Sequence, residues 1–175
     1  MKNYFREFDL SFDGEIKNIM MDENVYKQNV NGSVYTTYHI DLFSDKEQKI
    51  NQYIENLYPK VFDDFMVEIN LYKWSVYDFT YWWQVYEEDS CHPIHNHHGP
   101  QEIFSWVHFI KVDESDPCFY YVDHYDNKHF LGEKSDRLII FPSWLMHGVK
   151  TPKSKRAVVA GNIYLKSIET HDKSN

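Results

Sequence analysis

A mainly β fold with helices packed on one sheet is what this sequence predicts, on three observations. Aromatic residues make up 18% of the chain, with 14 Tyr, 12 Phe and 5 Trp, and flat rings suit a pleated, half-buried surface. From residue 74 onward, short runs alternate with period two and no helical stretch separates them, the pattern of a sandwich or barrel. Only around residues 44–69 does the hydrophobic period become helical.

With 175 residues the chain can build one domain with a sizeable core and is short for two. The expected organisation is a single domain. Residues 1–73 supply strands and helices that support a core at 74–166, and 167–175 form a polar, frayed tail.

In chain order, Phe8, Leu10 and Phe12 alternate with polar residues, and Asp13-Gly14 then precedes Glu15 to Met21. Gly accepts the positive φ of a tight turn, so this reads as a hairpin. Asn31-Gly32 signals a second turn before a strand from Val34 to Leu42. Both N-terminal strand regions are expected to extend the main sheet. Ser44 and Glu47 form a capping box, and Ile50, Tyr53, Ile54, Leu57 and Val61 share a helical face. Pro59 suits a first helical turn, so two consecutive helices are expected, Ser44 to Tyr58 and Pro59 to Ile69, packed on one sheet face.

From Trp74 to Glu88, Phe79, Tyr81, Trp83 and Val85 point one way and Thr80, Trp82, Gln84 and Tyr86 the other, as in a central strand buried on both faces. Further strands are expected at Ile103 to Val112, Pro117 to Tyr125, Arg137 to Phe141 and Arg156 to Lys166.

The net charge of −9 argues against broad contact with nucleic acid or an anionic membrane. Lys150, Lys153 and Lys155 read as a solvated loop. Two cysteines, Cys91 and Cys118, are too few for a disulfide framework, and the N-terminus lacks the apolar core of a signal peptide. With no run of about 18 apolar residues, a soluble, reduced, cytoplasmic protein is expected.

The chemistry concentrates between Cys91 and Gly99, which holds four of the ten histidines. His95 and His97 are two apart, so on an extended segment they project to one side and can reach one ion. Imidazole suits Fe, Zn, Cu or Ni. His147, after a buried-looking strand and the rigid Pro142, is the best third ligand. His92 and His98 compete for a place but read as solvent-facing or supporting residues. His39, His108, His124, His129 and His171 lack ligand spacing, although His108 lies on a core strand from which it can face the pocket. Arg156 shares a strand face with Val158, Ala160 and Asn162. It either points to solvent at the strand end or turns inward, where it needs an anion that its planar fork can hold.

Together, His95-Asn96-His97-His98-Gly99, Ser105-Trp106-Val107-His108-Phe109, Phe141-Pro142-Ser143-Trp144-Leu145-Met146-His147 and Arg156 with Asn162 resemble a bacterial and phage branch of the Fe(II)- and 2-oxoglutarate-dependent dioxygenases. The similarity covers about residues 80–165 and includes Trp83. It implies a double-stranded β-helix, a jelly-roll or cupin-like barrel. It also implies Fe(II) and 2-oxoglutarate as cofactors, and hydroxylation of a substrate with release of succinate and CO2.

By the same resemblance His95 and His147 are iron ligands, and Arg156, nine residues after His147, binds the distal carboxylate of 2-oxoglutarate. His97 stands where the family has Asp or Glu, and Val158 where it has Ser, so a hydroxyl from Tyr86, Ser105 or Tyr121 would assist Arg156. The implied partners are molecular oxygen and a small-molecule or peptide substrate, with neither membrane nor nucleic acid; a homo-oligomer is compatible with this.

A sister resemblance uses the same residues. His95, His97 and Glu102, with Pro142 and His147, are similar to the two metal motifs of cupins, with Trp144 where a glycine is usual. That alternative is a metalloprotein working without 2-oxoglutarate. A non-catalytic β-barrel binding module is a third.

Overall fold

The computed structural model describes residues 4–26, 34–38, 44–71 and 75–168. Its strands are β1 (Arg6–Asp9), β2 (Val34–Thr36), β3 (Ser75–Tyr86), β4 (His92–His95), β5 (Glu102–Lys111), β6 (Phe119–Val122), β7 (Lys128–Phe130), β8 (Arg137–Pro142), β9 (His147–Val149) and β10 (Arg156–Ile168). The helices are α1 (Gly14–Met20), α2 (Glu23–Tyr26) and α3 (Asp45–Glu68). A six-stranded sheet runs β1-β8-β5-β10-β3-β2 and a four-stranded sheet β4-β9-β6-β7; every strand pair among the described residues is antiparallel. As expected, β1 and β2 extend the large sheet at its two edges.

Period-two alternation sorts the side chains into two cores. On β5, Trp106 and Ile110 face the helix layer while Val107 and Phe109 face the small sheet. On β10, Ala157, Val159 and Ile163 go to the helices, and Val158 and Ala160 point between the sheets. Helix α3 buries Ile50, Ile54, Tyr58, Phe62, Phe65 and Met66, with the Tyr58 and Phe62 rings 4.5 Å and 5.2 Å from Trp106.

Three expectations are corrected. Asp13-Gly14 is a helix start: Asp13 Oδ1 accepts from the Glu15 and Ile16 amides at 2.9 and 3.0 Å. The segment after it buries Ile16 and Met20, four apart on one helical face, and β1 finds its partner in β8. An Asp-Gly pair serves either role, and burial decided. Second, Pro59 lies inside one continuous α3 that begins at the expected Ser44–Glu47 capping box. An interior Pro costs about 3 kcal/mol, and the six apolar side chains buried along that face are worth about 1.5–3 kcal/mol each. Third, β4, β7 and β9 are too short to show a period. The Pro117 to Tyr125 run narrows to β6, and Ser167 and Ile168 belong to β10. The Asn31-Gly32 turn, the end of the strand expected to reach Leu42 and residues 169–175 lie outside the described residues.

Candidate active site

The two sheets enclose a cavity lined by Trp82, Gln84 and Tyr86 of β3, by Ser105 and Val107 of β5, by Arg156, Val158 and Ala160 of β10, and by the histidines of β4 and β9. The small sheet brings the histidines together. His95 of β4 and His147 of β9 are cross-strand partners, and their ring centroids are 4.4 Å apart. Gly148 lets the strands close up, because a Cβ there would lie 2.7 Å from Tyr120 Oη and 3.0 Å from the His92 carbonyl oxygen. His97 follows two residues after β4, its amide donating to Ser143 O at 3.0 Å. One ligand atom from each of His95, His97 and His147 lies within 4.8 Å of the other two, a group that can hold a metal ion.

Their hydrogen bonds orient them. His95 Nδ1 pairs with Pro93 O and His147 Nδ1 with Leu145 O, each at 2.8 Å. A carbonyl only accepts, so in the neutral ring each Nδ1 carries the proton and each Nε2 keeps its lone pair. Such a supporting bond fixes tautomer and ring direction in metal-binding histidines. His95 Nε2 is 3.2 Å from His97 Nε2. Burial, with His95 alongside, pushes the pKa of His147 down to about 3 and that of His97 to about 4. Both are therefore neutral at pH 7, the form a metal requires.

His92 lines the same cavity, stacked on His95 at 4.3 Å, with Nδ1 3.4 Å from Tyr86 Oη. His98 is exposed. His108 turns away from the cavity, a correction to its expected freedom to face it. It sits on the Trp106 side of β5, held by Tyr58 Oη and Leu10 O, each at 2.8 Å. Glu102 is outside the histidine group and the cavity wall, its carboxylate folded against Gly99.

Arg156 points inward and is 2% exposed, so the solvent-facing alternative is ruled out. Its anion is in place: Nη1 lies 3.0 Å from Oε1 of Glu133, itself 3% exposed. Neither Nε nor Nη1 has an aligned hydrogen-bond acceptor. Of the other residues expected around it, Tyr86 and Ser105 line the cavity. Tyr86 Oη donates to Gln84 Oε1 at 2.9 Å, and Ser105 Oγ donates to Asn162 Oδ1, also at 2.9 Å. Tyr121 packs against Phe5 and His129, and neither it nor Asn162 lies on the cavity wall. Sequence reasoning missed Gln84, Trp82 and Glu133 as site residues, while His92, expected as a solvent-facing or supporting residue, lines the cavity. The first two share the Tyr86 face of β3, a signal period two already contains; Glu133, in the loop before β8, has none.

No family model and no curated protein sequence matches this chain. Solved structures do. An oxidoreductase of the 2OG-Fe(II) oxygenase family from Burkholderia pseudomallei superposes with a TM-score of 0.64 at 12% identity, covering 92% of this chain and 84% of that one. This chain has the fold of the 2-oxoglutarate- and Fe(II)-dependent oxygenases. A Pseudomonas putida prolyl-4-hydroxylase gives 0.61 at 12% identity, with 93% of each chain covered. HygX from Streptomyces hygroscopicus, solved with nickel, 2-oxoglutarate and hygromycin B, gives 0.62 at 10% identity, covering 92% and 82%. The expected double-stranded β-helix with helices on one sheet is thus the observed oxygenase fold. No helix among the described residues is long and apolar enough to cross a membrane.

Proposed function

We propose that this protein is an Fe(II)- and 2-oxoglutarate-dependent oxygenase whose metal is held by His95, His97 and His147. The observation that carries the reading is one cavity with three converging imidazoles on one wall and, on another, a buried Arg156 whose Nε and Nη1 have no aligned hydrogen-bond acceptor although Nη1 is ion-paired with Glu133. The donor set fits Fe(II), since imidazole nitrogens suit first-row transition metals. Arg156 fits a carboxylate, the planar partner its fork matches. When bound, Fe(II) and 2-oxoglutarate supply oxidation by O2 coupled to release of succinate and CO2.

The chain's own residues have distinct tasks. His95 and His147 offer Nε2 in a fixed direction because their Nδ1 protons are spent on Pro93 and Leu145 carbonyls. Arg156 would bind and orient the distal carboxylate, with Tyr86 and Ser105 as the cavity-lining hydroxyls within the same wall. Trp82, Phe119, Phe141 and Val149 exclude water around the reacting centre. Three imidazole ligands carry no negative charge to offset the ion's double charge, which favours an additional anionic ligand such as a 2-oxoacid.

The substrate is a small molecule or a peptide. Solved structures of this fold include a prolyl-4-hydroxylase and a complex with hygromycin B, so the fold does not choose between them. A substrate other than nucleic acid is the reading that the charge of −9 supports, and a reduced, cytoplasmic setting fits two cysteines, too few for a disulfide framework.

Succinate formation from 2-oxoglutarate, measured with Fe(II) and O2 in the absence of any substrate, tests the assignment. The parent protein should turn over slowly and H147A not at all; equal rates would refute the assignment.

A second reading rests on one observation. Arg156 already faces a carboxylate in Glu133, as it would in a metalloprotein that needs no 2-oxoglutarate. Glu102, the extra ligand of the cupin-type version, stays outside the histidine group, which favours the first reading.

A further inference from the structure

Glu133 is a buried acid in contact with Arg156 that the proposed function leaves idle. Its Oε1 does three things at once: it accepts the Cys118 amide at 3.1 Å, accepts the Phe119 amide at 2.5 Å, and lies 3.0 Å from Arg156 Nη1. Two backbone donors at the start of β6 therefore hold that oxygen. Its Oε2 has no partner. Glu133 is not on the cavity wall, whereas Arg156 is, among the described residues, the one Lys, Arg, Asp or Glu that lines it. The carboxylate thus touches the guanidinium from outside the cavity and leaves Nε and Nη1 without an aligned acceptor.

A buried Arg with no counter-charge is strongly disfavoured, so Glu133 makes an inward Arg156 tolerable while the pocket is empty. The same charge opposes an incoming anion, since like charges in a poorly solvated site repel over several ångströms. We propose that Glu133 is the positioning residue for Arg156 and the charge that limits how tightly this pocket holds a carboxylate. The proposal rests on the reading that Arg156 takes a carboxylate.

The geometry supplies a clean test. In Glu133→Gln the amide oxygen can keep all three contacts of Oε1, and the NH2 takes the place of the unpartnered Oε2, so charge is removed and shape is kept. Glu133→Asp keeps the charge and withdraws it from Arg156. Binding of glutarate, which lacks the 2-oxo group, and of 2-oxoglutarate is measured by calorimetry on the full chain without added metal, with R156A alongside.

E133Q is expected to bind both probes about tenfold tighter than the parent, to melt lower without ligand and to recover on adding glutarate. E133D is expected to bind both more weakly than the parent. Unchanged or weaker binding by E133Q, with R156A impaired, overturns the role of Glu133 and leaves the carboxylate reading standing. R156A binding like the parent overturns the carboxylate reading itself, and no binding by any of the proteins overturns both. Should E133Q fail to fold, E133D decides: binding equal to or tighter than the parent's contradicts the positioning role.

Discussion

His95 and His147 face each other across the β4–β9 pair, and each spends its Nδ1 proton on the carbonyl two residues before it, Pro93 and Leu145 respectively. The two rings are thus set by the same local device, repeated on two strands, and His97 completes the group from just beyond β4.

Metal uptake should follow this arrangement. His147→Ala and His95→Ala are expected to abolish binding of one Fe(II) or Ni(II) equivalent, and His97→Ala to weaken it at least tenfold. His98→Ala should change little because His98 is exposed. Equal losses from His98→Ala and His97→Ala, read by calorimetry, would show that the wrong histidine of the pair was chosen.

Gly148 predicts a coupling between packing and metal. Gly148→Ala places a methyl 2.7 Å from Tyr120 Oη and 3.0 Å from the His92 carbonyl oxygen, so the Tyr120 ring must move aside and β4 must give by a few tenths of an ångström. Overpacking of this kind costs about 1–3 kcal/mol. Metal affinity should fall more than thermal stability does, and a normal affinity would mean that β4 adjusts without moving His95.

His108 should make stability sensitive to acid. Burial holds its pKa at about 4, against an ordinary 6.5, so between those values the unfolded chain binds more protons than the folded one. Stability is then fully present above pH 6.5 and declines as the pH falls toward 4, by about 3 kcal/mol at roughly 1.4 kcal/mol per unit. His108→Gln lacks this titration. Its urea midpoint should lie below the parent's at pH 7.5, with the gap narrowing by pH 4.5; a constant gap would contradict the assignment.

The N-cap of α1 is separable from the site. Asp13→Ala removes the acceptor of two amides and should cost about 1 kcal/mol, or roughly 2–4 °C in Tm for a chain this size. Metal affinity should be unchanged. A loss of metal binding would tie α1 to the site in a way the packing does not suggest.

Much of this was legible wherever a side chain's role depends on short-range periodicity. Alternation on β10 put Arg156 on one face with Val158 and Ala160, leaving its solvent or inward direction to burial, and the two-residue spacing joined His95 to His97. Where two local meanings compete, tertiary burial decided. Asp13-Gly14 serves a turn or a cap equally well, and Pro59 starts a helix unless the apolar face continues through it. Glu133 illustrates what spacing cannot carry. It stands 23 residues before Arg156 in a loop, and only the closure of β6 against that loop brings the two together.

The most direct test of the central claim is anaerobic titration of the protein with Fe(II) and then 2-oxoglutarate, watching for the visible metal-to-ligand charge-transfer band. A band is expected in the parent protein, with its loss in H147A and a requirement for much more 2-oxoglutarate in R156A. Iron binding with no band at any 2-oxoglutarate concentration would contradict that claim.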